Sequence, residues 1–159
     1  MKPTQVGIDP GRFGAVVALK DGGGCLWVQK GNTGDLEVLG RLHSLLAGQA
    51  GPLRVAIERN HPVPGMGAVS AFTFGRNYGR LEAALTLGGF KPTVVSAQSW
   101  RRWALDGKVP KDRKGREAAT VASAMKRWPE VEWPKARRWR EAVACALFIA
   151  LYASVKGGK

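Results

Sequence analysis

The sequence predicts an α/β fold: a five-stranded mixed sheet, three antiparallel strands followed by two parallel ones, with helices on both faces. Short apolar runs rich in β-branched residues alternate with longer segments whose apolar residues recur every three or four positions. The first three apolar runs follow one another across short turns, which favours antiparallel pairing. The later runs are separated by helical segments, which favours parallel pairing.

The predicted strands are apolar runs bounded by turn-forming residues such as glycine, proline and aspartate. The first three form an antiparallel meander, and the last two follow helical segments. The strands span Thr4–Ile8, Phe13–Leu19, Cys25–Lys30, Leu53–Ile57 and Pro92–Val95.

The predicted helices carry apolar residues at helical spacing, and the fourth is ended by Trp128-Pro129. They span Asp35–Ala47, Ala68–Leu87, Ala97–Ala104, Arg116–Arg127 and Arg137–Ser154. The sequence contains no internal repeat or linker. Its 159 residues therefore fit a single domain over residues 1–155, with a flexible tail at 156–159.

Charge is the strongest compositional signal. Lys and Arg number 25 against 12 acidic residues, which gives a net charge of +13. Such an excess is typical of proteins that bind a polyanion, most often nucleic acid, although some basic proteins have no such partner. The basic residues are concentrated between Arg101 and Arg140, and a one-sided basic surface is what phosphate neutralisation requires.

Hydropathy and cysteine usage predict a cytoplasmic protein that does not use a membrane. The most apolar run, at 142–153, is shorter than the ~20 residues that a membrane span needs. Cys25 and Cys145 match neither a disulfide framework nor a zinc-site spacing. A reducing compartment follows from this pattern.

The most informative segment is 6–11, with the sequence VGIDPG. It places Asp9 at the end of a buried strand, where a carboxylate is costly without a partner such as a metal ion. The glycines allow a sharp turn and leave room for a phosphate group. The alternative is an ordinary Asp-Pro-Gly turn.

A second carboxylate, Glu58, ends the apolar run VAIE at 55–58. If the first and fourth strands are neighbours, Asp9 and Glu58 lie side by side and need a cation between them. Hard oxygen ligands favour Mg²⁺ or Mn²⁺ over zinc. The alternative is that Glu58 pairs with a neighbouring base such as Arg59.

The candidate for a third carboxylate is Glu141, which begins the most apolar helix. It shares a helical stripe with Cys145 and Phe148, so it is expected to face inward. A carboxylate there needs a functional reason. The alternative is that Glu141 is an exposed first-turn acid stabilised by the helix dipole.

Taken together, these segments resemble the RuvC-type Holliday junction resolvases of the RNase H-like superfamily. The resemblance rests on the GIDPG segment at 7–11, the strand ending in Ile57-Glu58 and the late helix that carries Glu141. The segments GRNYGRLEAAL at 75–85 and VSAQSW at 95–100 are similar to phage and prophage members. The resemblance covers nearly the whole chain and implies an RNase H-like fold.

The resemblance implies a homodimer that binds four-way DNA junctions and cuts two strands symmetrically. It implies Mg²⁺ as cofactor, with Mn²⁺ as a substitute and two ions per active site. Asp9 and Glu58 match the first two family acids, with Glu141 as the third metal ligand. Lys114 corresponds to a lysine near the scissile phosphate. Basic residues predicted to contact DNA phosphates are Arg76, Arg80, Arg101, Lys111 and Lys114.

One position departs from the family pattern. The last helix usually carries an aspartate just before Ala-Leu, and here Cys145 stands at that position. Cysteine is a poor Mg²⁺ ligand. Three hypotheses follow: Glu141 alone supplies the acid of this helix, the active site is weakened, or the cysteine inactivates it.

Other functions fit parts of the same pattern. The Cys145 replacement favours a junction-binding protein with a degenerate site. An RNase H-like nuclease acting on RNA–DNA hybrids or other branched DNA would use the same acids. A single-lobed relative of the sugar-kinase ATPases shares the Gly-x-Asp-x-Gly motif, but the sequence lacks a second phosphate-binding glycine-rich motif.

Overall fold

The computed structural model describes residues 4–20, 23–49, 51–62 and 64–156. This part of the chain contains five strands and five helices in the predicted order. The strands are β1 (Thr4–Asp9), β2 (Gly14–Leu19), β3 (Cys25–Gly31), β4 (Leu53–Glu58) and β5 (Thr93–Val95). The helices are α1 (Leu36–Ala47), α2 (Ala68–Leu87), α3 (Ala97–Ala104), α4 (Arg113–Arg127) and α5 (Arg137–Lys156).

The strands form one mixed sheet in the order β3-β2-β1-β4-β5. β1 pairs antiparallel with β2, which pairs antiparallel with β3. β1 pairs parallel with β4, and β4 pairs parallel with β5. The predicted α/β architecture is confirmed, including the three antiparallel and two parallel strands.

Helices cover both faces of the sheet, as predicted. On one face α3, α4 and α5 bury large side chains such as Trp100, Trp128 and Leu147 against β2 and β4. On the other face α1 and α2 bury Leu42, Leu81 and other leucines against the alternate residues of the same strands. Since side chains alternate across a strand, β2 and β4 contribute to both cores.

The α5 helix packs directly on β1, where a glycine permits the contact. A Cβ atom at Gly7 would lie 2.1 Å from the carbonyl oxygen of Ala146 and 2.8 Å from the Cβ of Ala150. Only a residue without a side chain fits such an approach. The close contact fixes the first half of α5 over the end of β1, where Asp9 lies.

The start of α4 differs from the prediction. The helix begins at Arg113 rather than Arg116, because the Asp112 side chain accepts a hydrogen bond from the Gly115 N–H at 2.7 Å and caps the first turn. The loop therefore ends earlier, and Lys114 lies on a helix. At the other end of the chain α5 extends to Lys156, and the rest of the predicted tail lies outside the described residues.

Candidate active site

The strand register places two carboxylates side by side. Ile8 pairs with Ile57 across the parallel β1–β4 ladder, so the next residues, Asp9 and Glu58, are neighbours at the same edge of the sheet. Burial is the main cause that raises the pKa of Asp9 well above 3.8, and the negative charge of Glu58 raises it further. Two adjacent, largely desolvated carboxylates are therefore unfavourable without a cation.

The turn after β1 is held by side chains from two other segments. The Gly11 N–H donates to the Thr33 hydroxyl at 2.8 Å. The Asn60 side-chain amide donates to the Pro10 carbonyl at 3.0 Å. Gly11 has a φ of 151°, which residues with a side chain rarely adopt. These contacts fix the position at which β1 delivers Asp9.

Glu58 is held from the helix that follows β5. The Trp100 indole N–H donates to Glu58 Oε2 at 2.6 Å. Burial raises the pKa of Glu58, while this hydrogen bond and the charge of Arg101 act in the opposite direction. The alternative of a simple pairing with Arg59 does not describe this carboxylate, because its hydrogen bond comes from the buried Trp100.

The acid pair opens into a cavity of about 860 Å³. The cavity is also lined by predicted site residues from three helices, namely Arg101, Lys114, Glu141 and Cys145. Residues more than 130 positions apart in the sequence thus share one cleft. A cleft with convergent polar groups and carboxylates of raised pKa is the expected form of a catalytic site.

Cys145 faces the acid pair from α5. Burial raises the pKa of its thiol well above 9.0, and the charges of Asp9 and Glu58 raise it further. Arg101 acts in the opposite direction on the same thiol. A thiol kept neutral beside two carboxylates is a weak ligand for a hard cation.

Glu141 lies at the rim of the cavity, within a network of ion pairs. Arg137 Nε donates to Glu141 Oε1 at 2.5 Å, and another guanidinium nitrogen of Arg137 lies 2.7 Å from Glu117 Oε2. Arg113 Nε also donates to Glu117, at 2.6 Å. Glu141 thus lines the cavity and lies beyond the first turn of α5, so it is not the exposed first-turn acid of the alternative interpretation.

The predicted DNA-contacting residues are divided between two regions. Arg101 and Lys114 line the cavity that contains the acids. Arg76 and Arg80 lie on α2 and line a separate cavity of about 620 Å³. Lys111 is exposed in the loop before α4.

An aromatic and arginine cluster beside the acids was missed from the sequence. The rings of Phe13 and Trp139 meet edge to face with centroids 5.2 Å apart. The guanidinium carbons of Arg12 and Arg138 lie 5.7 and 4.9 Å from the centre of the Phe13 ring. In the sequence, Arg12 precedes Phe13 and Arg138 precedes Trp139, which is the pattern that could have indicated this cluster. A tryptophan considered alone, however, is expected to pack in the core.

Asp9 and Glu58 suit one hard divalent cation, because they offer adjacent carboxylate oxygens whose mutual repulsion a cation relieves. Within residues 4–20, 23–49, 51–62 and 64–156, no cluster of three or more His, Cys, Asp or Glu side chains is arranged to hold a metal ion. The third and fourth ligands are therefore not preformed by such side chains.

Comparison with solved structures identifies the architecture. Thermus thermophilus RuvC in complex with Holliday junction substrate aligns with a TM-score of 0.60 and 17% identity, over 98% of this chain and 97% of that chain. The chain has a RuvC-type fold. A second Thermus thermophilus RuvC structure aligns with a TM-score of 0.59 and 23% identity, over 94% of this chain and 95% of that chain. The sequence matches no family model and no curated protein.

The RuvC-type alignment spans almost the full length of both chains, so it includes the strand edge with Asp9 and Glu58. None of the helices in the described ranges is both long and apolar enough to cross a membrane.

Proposed function

We propose that this protein is a structure-selective endonuclease that resolves four-way DNA junctions by metal-dependent phosphodiester hydrolysis. The observation that carries the proposal is the placement of Asp9 and Glu58 side by side in a cleft with basic residues, at the sheet edge of a RuvC-type fold. The junction-bound state of one similar structure supports the choice of substrate. The net charge of +13 suits a DNA partner.

In this proposal Asp9 and Glu58 hold Mg²⁺, with Mn²⁺ as a substitute. When bound, such an ion supplies Lewis-acid activation of the phosphodiester and of water. Trp100 orients the Glu58 carboxylate through its 2.6 Å hydrogen bond. The resemblance implies a second ion, for which Glu141 is the candidate ligand once its carboxylate is released from Arg137.

Lys114 and Arg113 supply positive charge on the other side of the cleft. Both lie in the first turn of α4 and line the cavity. Charge develops on the phosphate oxygens during hydrolysis, and preorganised cations there stabilise the transition state. Lys114 is the better placed of the two for this role, since Arg113 is already paired with Glu117.

The Phe13 and Trp139 cluster provides a second way to hold DNA next to the cleft. Arg12 and Arg138 have no carboxylate partner among the described residues, so their charges are available to phosphates. Partly exposed aromatic rings add a surface on which an unpaired base stacks. Arg76, Arg80 and Lys111 extend the phosphate contacts, and a homodimer would place two such sites on one junction.

The proposal is tested with labelled four-way junction, linear duplex and RNA–DNA hybrid of matched sequence, each with Mg²⁺, Mn²⁺ or EDTA. We expect paired nicks in the junction only, with either metal and not with EDTA. Equal cleavage of duplex or hybrid would contradict junction selectivity.

A second candidate is a junction-binding protein without nuclease activity, which the neutral Cys145 thiol favours. Selective binding of the junction, with no nicking in either metal, would support this candidate over the endonuclease.

A further inference from the structure

Arg101 extends from α3 into the space beside the two carboxylates. It lines the same cavity as Asp9, Glu58 and Cys145. Its Nε atom is buried and has no hydrogen-bond partner among the described residues. A buried guanidinium N–H without a partner is costly, so placing Arg101 beside the acid pair needs a functional reason.

The guanidinium is positioned by a neighbour that also holds the acid pair. Its carbon lies 4.4 Å from the centre of the Trp100 ring, a distance typical of a cation–π contact. Trp100 is fully buried and donates its indole N–H to Glu58. One side chain thus fixes both a carboxylate and the cation next to it.

The charge of Arg101 acts on all three ionisable groups at the bottom of the cleft. It opposes the rise in pKa of Asp9, of Glu58 and of the Cys145 thiol. The other charged groups that line the cavity lie on α4 and α5: Arg113, Lys114, Glu117, Arg137, Arg138 and Glu141. Of these, Arg113, Glu117, Arg137 and Glu141 pair with one another.

We infer that Arg101 takes the place of one of two metal ions, so that this site binds a single divalent cation. The guanidinium group then faces the scissile phosphate as a fixed positive charge. The inference rests on the proposed function and sharpens it. A fixed guanidinium is always charged and presents several donors to phosphate oxygens.

This inference also accounts for Cys145. A second ion would need further carboxylate ligands from α5, and an aspartate at 145 would supply one. With the guanidinium in that space, the neutral thiol accepts a hydrogen bond from Arg101 and offers no oxygen ligand to a second ion. The cysteine at position 145 and the position of Arg101 beside the acids then have one explanation, the absence of a second metal ion from this site.

The test is a calorimetric titration with Mn²⁺ in the absence of DNA. It compares the wild type with Arg101→Gln and Arg102→Gln. Arg102 is the matched control, because it is the next residue on α3, carries the same charge and is exposed. Removing a unit charge a few ångströms from a cation site strengthens binding by about tenfold or more. We expect that gain for Arg101→Gln, and wild-type affinity for Arg102→Gln.

Equal Mn²⁺ affinity in the two variants would overturn the inference. Binding stoichiometry in the wild type keeps the test independent of the folding of Arg101→Gln: one ion per chain is expected, and two ions of similar affinity would also overturn the inference. The proposed function is tested separately by junction nicking. If the wild type binds one ion but does not nick the junction, the proposed function fails while this inference stands.

Discussion

The two halves of the cleft are built in different ways. The strand half consists of Asp9 and Glu58, whose positions are set by the backbone hydrogen bonds of a parallel ladder. The helix half consists of Arg101, Glu141 and Cys145, which reach the cleft by side chains from α3 and α5. The ladder therefore sets the positions of the two acids, whereas side chains from the helices set the charge beside them.

The two halves also differ in their electrostatics. Asp9 and Glu58 repel each other and are largely desolvated, whereas the rim residues Glu117 and Glu141 are satisfied by arginines. Ion pairs at a solvent-facing rim contribute little to stability. The unfavourable charge is therefore concentrated in the strand half, as expected where a site is organised for a cation.

The largest expected effect is on the strand half. Asp9→Asn should lower junction cleavage by about a thousandfold, because a lost metal ligand removes several kcal/mol of transition-state stabilisation. Junction binding, measured by gel shift, should persist. Glu37→Gln is the control, since this exposed acid pairs with Arg41 on α1. Loss of binding with an intact fold would contradict the role given to Asp9.

A substitution in the helix half should change the cleavage rate less than Asp9→Asn does, and should raise the rate rather than lower it. Cys145→Asp adds an oxygen ligand beside Asp9 and Glu58, and we expect the cleavage rate to rise by about tenfold, equivalent to about 1.4 kcal/mol. Cys25→Ser, which changes the cysteine on β3, should leave the rate unchanged. An unchanged or lower rate in Cys145→Asp would show that position 145 is not a missing ligand.

The smallest effect is on stability and depends on pH. Because the folded-state pKa of Asp9 is raised, its contribution to stability is present at acid pH and is lost as pH rises through that pKa. In EDTA, Asp9→Asn should therefore exceed the wild type in free energy of unfolding by about 1 kcal/mol at neutral pH, a typical gain when an unfavourable site group is removed. Urea titrations across pH measure the difference. A gain that persists unchanged at acid pH would contradict the electrostatic cause.

The strand half was predictable from the sequence, and most of the helix half was not. Apolar runs ending in Asp9 and Glu58 carry a local signal, and parallel pairing brings such ends together. The Trp100 and Arg101 contacts depend on how α3 leaves β5, which no local pattern encodes. The early start of α4 depends on the Asp112 cap, which stands in the sequence among basic loop residues and so carries a weak helix signal.

The central claim is that Asp9 and Glu58 together hold a divalent cation, and anomalous diffraction from a crystal soaked in Mn²⁺ tests it most directly. The account predicts a manganese peak bonded to oxygens of both carboxylates, with the Arg101 guanidinium beside it. A peak bound elsewhere on the chain, with these two carboxylates empty, would contradict the account.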